Sequence, residues 1–150
     1  MFDTESANDG APSCELILVR GLPGSGKSKL ADKFVEYCSE EEAVVFEADQ
    51  FFLDEHSNYN FDPARLSDAH AWCLERAVEA MKRGQRVVVA NTFTQLWMLR
   101  PYIDWAKELN VPFTVVSLYD GGKSDETLAS RNVHGVPLRT IAMMRAAWEL

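Results

Sequence analysis

The chain has 150 residues, enough for one compact domain and too few for two of ordinary size. Its residues are 47% hydrophobic and 25% charged, and no run of about 18 apolar residues exists, so it reads as a soluble globular protein without a membrane span. The formal net charge of −8 disfavours non-specific wrapping of nucleic acid by a broadly basic surface, although Lys27, Lys29, Arg131, Arg139 and Arg145 could still share one face.

Residues 1–13 are polar, acidic and turn-rich, with no basic patch followed by an apolar stretch. They are expected to be a disordered leader rather than a secretory signal, with a single domain over 14–150. Cys14, Cys38 and Cys73 are scattered and form no C-x-x-C pair. They suit neither a disulfide framework nor a zinc site, and reduced thiols in a cytoplasmic protein are expected.

Order is expected to begin with a buried strand over 15–20, which opens into a glycine-rich turn. Leu30, Ala31, Phe34, Val35 and Cys38 have helical spacing, which predicts a helix over 27–39. A short strand follows over 43–46, then an irregular excursion over 50–63. An amphipathic helix over 65–83 is closed by Gly84. The run Arg86-Val87-Val88-Val89-Ala90 predicts a strand. Helical spacing returns over 95–109, a strand over 113–119 follows, and two helices over 124–132 and 137–149 close the chain. Strand and helix in alternation predict an α/β domain with a parallel sheet of four or five strands, helices on both faces and a short helical lid. Ligands of such sheets sit beyond the carboxyl ends of the strands, so Arg20, Gly21, Asp49, Asn91, Tyr119 and Asp120 should converge there.

Gly21-Leu22-Pro23-Gly24-Ser25-Gly26-Lys27-Ser28 matches G-x-x-x-x-G-K-[ST] in full, between a predicted strand and a predicted helix. This is the pattern of a P-loop NTPase. Glycines let the backbone turn its N–H groups toward a triphosphate, and the helix that follows offers its free N–H groups and dipole. Lys27 reaches the β- and γ-phosphates of ATP or GTP, and the Ser28 hydroxyl ligates Mg²⁺.

Asp49, just past the second strand, is either a general base for an acceptor hydroxyl or an N-cap for a short helix starting at Gln50. Asn91 and Thr92 end the strand that usually carries a Mg²⁺-directing aspartate; they could bind water in the metal shell or only turn the chain. Arg131 could neutralise charge on a transferred phosphoryl group, or simply end a solvated helix. His134 reads as a surface or capping histidine, and His70 as a structural one. Phe51 and Phe52 follow Asp49, where an aromatic ring could stack on a base.

GLPGSGKS, ADQFF, FDPARLSDAHAWC, VVVANT, RNVHGVP and MMRAAWE occur in this order. The combination resembles the polynucleotide-kinase-like P-loop family, which includes the kinase domain of phage polynucleotide kinase–phosphatase and small stand-alone relatives. The resemblance implies that Lys27 and Ser28 bind phosphate and Mg²⁺, that Asp49 is the general base, and that Arg131 is a phosphate-contacting lid arginine. The phage end-healing kinase has an arginine three residues beyond its base, where Phe52 stands here, and an aspartate where Asn91 stands. Both departures count against phosphorylation of a true 5′ end and leave the ATP side intact. Family members also include viral kinases acting on 5-hydroxymethyluracil in DNA. No phosphatase domain is expected after the last helix.

The resemblance and the residues together predict an ATP- and Mg²⁺-dependent kinase acting on a hydroxyl of nucleic acid, either a 5′ end or a hydroxymethylated base. A small-molecule kinase of nucleosides, sugars or antibiotics is the alternative on the same scaffold. An NTP-dependent switch or adaptor is the alternative of another class, supported by Asn91 in place of an acid.

Overall fold

The first strand, β1 (Leu16–Gly21), is buried along its whole length. In the computed structural model, which describes residues 13–150, it lies inside a four-stranded parallel sheet of order β2-β3-β1-β4. The other strands are β2 (Ala43–Phe46), β3 (Arg86–Asn91) and β4 (Phe113–Tyr119). Residues 1–12 of the expected leader lie outside the described residues.

Side chains alternate across a strand, so β1 and β3 feed two cores at once. Leu16, Leu18, Val87 and Val89 join one buried cluster with Ala69, Cys73 and Ala77 of α2 (Leu66–Lys82) and Tyr102 and Ala106 of α3 (Arg100–Glu108). Ile17, Val19, Val88 and Ala90 join the other, with Ala31 of α1 (Lys27–Val35). Helices therefore cover both faces, as expected of strands that read as unbroken apolar runs. The sheet has four strands, the lower of the two numbers expected. Its β4 edge is more open, with Phe113 and Val115 partly exposed.

The helix expected over 27–39 stops at Val35. Glu36 turns extended, and Tyr37 takes a left-handed φ of 70° with its ring in solvent. The excursion after β2 is more ordered than expected. It opens with a 3-10 turn, Ala48–Phe52, and folds back through an antiparallel bridge between Leu53 and Tyr59.

The lid is a pair of helices, α4 (Asp125–Arg131) and α5 (Leu138–Ala146). A third buried cluster, Leu22, Leu128 and Ile141, packs it directly on the glycine-rich loop. Between the helices, the Asn132 amide accepts from Val136 N–H at 2.8 Å and donates to the carbonyls of Ala129 and Val136 at 3.0 Å. That side chain fixes the shape of the lid loop.

Candidate active site

The glycine-rich loop leaves β1, is held to the end of β4 and turns back on itself. Leu22 N–H donates to the Tyr119 carbonyl at 2.8 Å, and Ser25 N–H donates back to the Leu22 carbonyl at 3.0 Å. Gly24 and Gly26 take φ of 82° and 101°, left-handed values that favour glycine. At Gly24 a side chain would also run into the backbone carbonyl of Leu128 in the lid. Gly26 is the N-cap residue of α1, and no side chain caps that helix. Its first-turn N–H groups and positive dipole end are thus available to an anion.

Lys27 opens α1 half-buried. Burial lowers its pKa, while the carboxylates of Glu47 and Asp49 act in the opposite direction. A partly desolvated ammonium beside uncapped helix N–H groups suits phosphate oxygens. The Ser28 hydroxyl is exposed at the loop exit and is a hard oxygen donor of the kind Mg²⁺ takes. Among the described residues no group of three or more His, Cys, Asp or Glu could hold a metal by itself.

Asp49 does not cap a helix. It lies within the 3-10 turn whose N-cap is Glu47, and its side chain faces outward to two partners. The Tyr59 hydroxyl donates to Oδ1 at 3.1 Å, and His134 Nε2 lies 3.3 Å from Oδ2. The Tyr59 and His134 rings also pack, with centroids 4.5 Å apart. Burial and the Asp49 charge push the Tyr59 phenol pKa well up, so it stays a donor. His134, expected as a surface or capping residue, instead joins the lid loop to Asp49.

Glu47 sits one position beyond β2, close to the glycine-rich loop. Ser28 Oγ donates to its Oε1 at 3.0 Å. Burial raises the Glu47 pKa and the Asp49 charge adds to this; the Ser28 hydrogen bond, Lys27 and His134 oppose it. Glu47 lies outside every motif that the sequence carries. Its position at the carboxyl end of a parallel strand was the signal available.

Asn91 is buried, with both ends of its amide engaged inside the protein. Oδ1 accepts from Ala48 N–H at 2.8 Å, and Nδ2 lies 3.7 Å from Cys73 Sγ. It props up the turn that carries Glu47 and Asp49.

Phe52 is 6% exposed and meets the Phe51 and Phe61 rings edge-on. Its ring belongs to the core, which corrects its expected place at the acceptor mouth. The aromatic that reaches solvent here is Phe61, 48% exposed and stacked on Tyr59 with ring planes 9° apart.

Arg131 is the last residue of α4 and is exposed. Arg145 is committed elsewhere and does not belong to a free basic face. It donates to Asp125 Oδ1 at 2.7 Å and to Asp120 Oδ2 at 2.8 Å. Arg20 is buried under the Trp148 ring at 4.1 Å and donates to the Phe93 carbonyl at 3.0 Å.

A parallel strand that runs through a glycine-rich loop into an uncapped helix, under a helical lid, defines a P-loop nucleotide-binding domain of the kinase-like fold. Residues 16–150 match the family described as AAA domain, and the chain belongs to that family. It is 36% identical over 132 residues to NEDD4-binding protein 2 of Homo sapiens, covering 86% of this chain and 7% of that protein. It is 27% identical over 118 residues to the bifunctional polynucleotide phosphatase/kinase of Schizosaccharomyces pombe, covering 79% of this chain and 23% of that one. The Pnkp1/Rnl/Hen1 RNA repair complex contains a chain of the same fold, with TM-score 0.70 and 18% identity over 95% of this chain and 46% of that one. The chain thus spans less than half the length of each of these proteins. No helix among the described residues is long and apolar enough to cross a membrane.

Proposed function

We propose that this domain is an ATP- and Mg²⁺-dependent kinase that transfers the γ-phosphoryl group to a hydroxyl of nucleic acid, with a 5′-hydroxyl end as its first acceptor. The carrying observation is the Asp49 carboxylate. It stands at the exit of β2 near Lys27, held from two sides by Tyr59 and His134 instead of capping a helix. A general base needs that kind of fixed and accessible oxygen.

In this reading the backbone of residues 21–28 and Lys27 hold the β- and γ-phosphates, and Ser28 ligates Mg²⁺. The bound ion offsets charge on the phosphates. Asp49 takes the proton of the acceptor hydroxyl as the new O–P bond forms and the bond to the ADP oxygen breaks. Arg131, at the end of the lid helix, neutralises charge on the group in flight. Positioning and electrostatics supply most of the acceleration. The buried Phe52 weakens the case for a hydroxymethylated base stacked at that position, while the yeast relative's name favours a polynucleotide end. Phe61, partly exposed beside Tyr59, offers a terminal nucleobase a stacking surface. The net charge of −8 suits engagement of a strand end more than wrapping of a duplex.

Incubation with γ-labelled ATP tests the reading against three acceptors: a 5′-hydroxyl oligonucleotide, hydroxymethyluracil-containing DNA and a nucleoside mixture. Label should appear on the oligonucleotide and depend on Mg²⁺. Label confined to free nucleosides would move the protein to the small-molecule kinases, and release of phosphate alone would make it a switch.

A further inference from the structure

A serine that ligates a cation through its oxygen must send its hydroxyl proton elsewhere. Ser28 Oγ donates to Glu47 Oε1 at 3.0 Å, so its lone pairs stay free on the other side of the oxygen. The strand that would ordinarily supply an acidic partner here ends in Asn91, a neutral residue. The Asn91 amide is buried against Ala48 and Cys73 and faces away from solvent. Charge and hydrogen-bond acceptor at the Ser28 hydroxyl therefore both come from the residue just past β2, the strand beside β3 in the sheet.

We propose that Glu47 is the acidic positioning residue of the magnesium site, orienting the Ser28 hydroxyl and giving the ion's hydration shell the negative charge that Asn91 lacks. Glu47 is half-buried and feels the charge of Lys27, a placement that lets its carboxylate act on a neighbouring cation. Outer partners of this kind orient a ligand and raise its basicity, and their loss commonly costs about 10–100-fold in metal affinity. Asp49, two residues on, has a different task, since its oxygens face Tyr59 and His134. The inference rests on the magnesium–nucleotide part of the proposed function and does not need the acceptor.

The test is binding of a fluorescent ADP analogue to the full chain, titrated with Mg²⁺, for wild type, Glu47→Gln, Ser28→Ala and the double variant. In Glu47→Gln the metal-free affinity should stay within about twofold, while the Mg²⁺ concentration for half-maximal tightening rises at least about tenfold. In the Ser28→Ala background, Glu47→Gln should add little, because the two residues act as a unit. Thermal denaturation without nucleotide checks that each variant is folded. Equal Mg²⁺ dependence in wild type and Glu47→Gln would overturn the proposal, as would a loss of metal-free and metal-bound affinity in the same proportion. Failure of wild type to bind the analogue at all would instead overturn the nucleotide-binding reading beneath it.

Discussion

His134 Nε2 lies 3.3 Å from Asp49 Oδ2, so the loop between the two lid helices touches the residue proposed as base. Lid position and carboxylate position are thereby coupled. Asp49→Asn keeps the shape and removes the proton acceptor, and phosphoryl transfer should fall about 10²–10⁴-fold with nucleotide affinity unchanged. His134→Ala leaves the base in place but unsupported on one side. The loss of one such contact should lower kcat/KM for the acceptor about tenfold, with ADP binding unaffected. Steady-state kinetics with the acceptor varied, beside ADP titrations, separates the two effects. Full activity in Asp49→Asn would remove the base assignment.

The lid also touches the phosphate loop through its backbone. A side chain at Gly24 would meet the Leu128 carbonyl, and the φ of 82° is itself left-handed; at Gly26 the φ is 101° but nothing stands in the way. Gly24→Ala should therefore destabilise the ligand-free protein by more than ~1 kcal/mol, and by more than Gly26→Ala does. Thermal denaturation without nucleotide reads the difference. Equal losses in the two variants would mean that α4 yields freely and does not rest on the loop.

Much of this architecture was legible because strands buried on both faces must be apolar throughout. Leu16-Ile17-Leu18-Val19 and Val87-Val88-Val89 announce themselves, and β2 and β4 fall on the expected residues. The phosphate loop is local in sequence, so its spacing carries its geometry. The rest of the site is not local. Asp49 meets His134 only because the lid folds back over the sheet. Asn91 is spent on Ala48 only because β2 and β3 are neighbours. Glu47 was hidden by the more suggestive Asp49, and Phe52 by a sequence position that says nothing about which way its ring points.

Arg145 fastens the lid to the end of β4. Its guanidinium donates to Asp120, Asp125, the Tyr119 hydroxyl and the Lys123 carbonyl, all within 3.1 Å. The hydrogen bond from Arg145, helped by Gly122 N–H, holds the Asp120 carboxyl below the usual carboxylate range. A depressed acid binds fewer protons in the folded than in the unfolded state, so its contribution is complete above the unfolded pKa of about 3.9 and fades as pH falls through the lower folded value. Asp120→Asn should cost about 1–3 kcal/mol at pH 7. It should also flatten the loss of stability expected of wild type below about pH 4. Denaturant unfolding across pH 2.5–7 (an order-of-magnitude window set by the same carboxylate range) measures both. A variant with the same acid slope as wild type would place the titrating group elsewhere.

Phe52 and Phe61 are in edge-to-face contact, with ring centroids 5.0 Å apart, yet they should answer to substitution in opposite ways. Phe52 is 6% exposed and packs among Phe51, Tyr59 and Phe61, so Phe52→Ala opens a cavity and should cost about 3–5 kcal/mol. Nucleotide binding and transfer should then decline together as the folded fraction falls. Phe61 is 48% exposed, and its removal leaves the core closed. Phe61→Ala should cost no more than about 1 kcal/mol in stability. If its ring receives the terminal nucleobase, acceptor affinity should drop by a stacking contribution of roughly 1–3 kcal/mol, with ADP affinity unchanged. Denaturation midpoints measured beside ADP and oligonucleotide affinities distinguish the two residues. Should Phe52→Ala remain as stable as wild type and lose only acceptor binding, the ring would line the acceptor site after all, and the core assignment would fail. Unchanged oligonucleotide affinity in Phe61→Ala would show that the exposed ring takes no part in holding the acceptor.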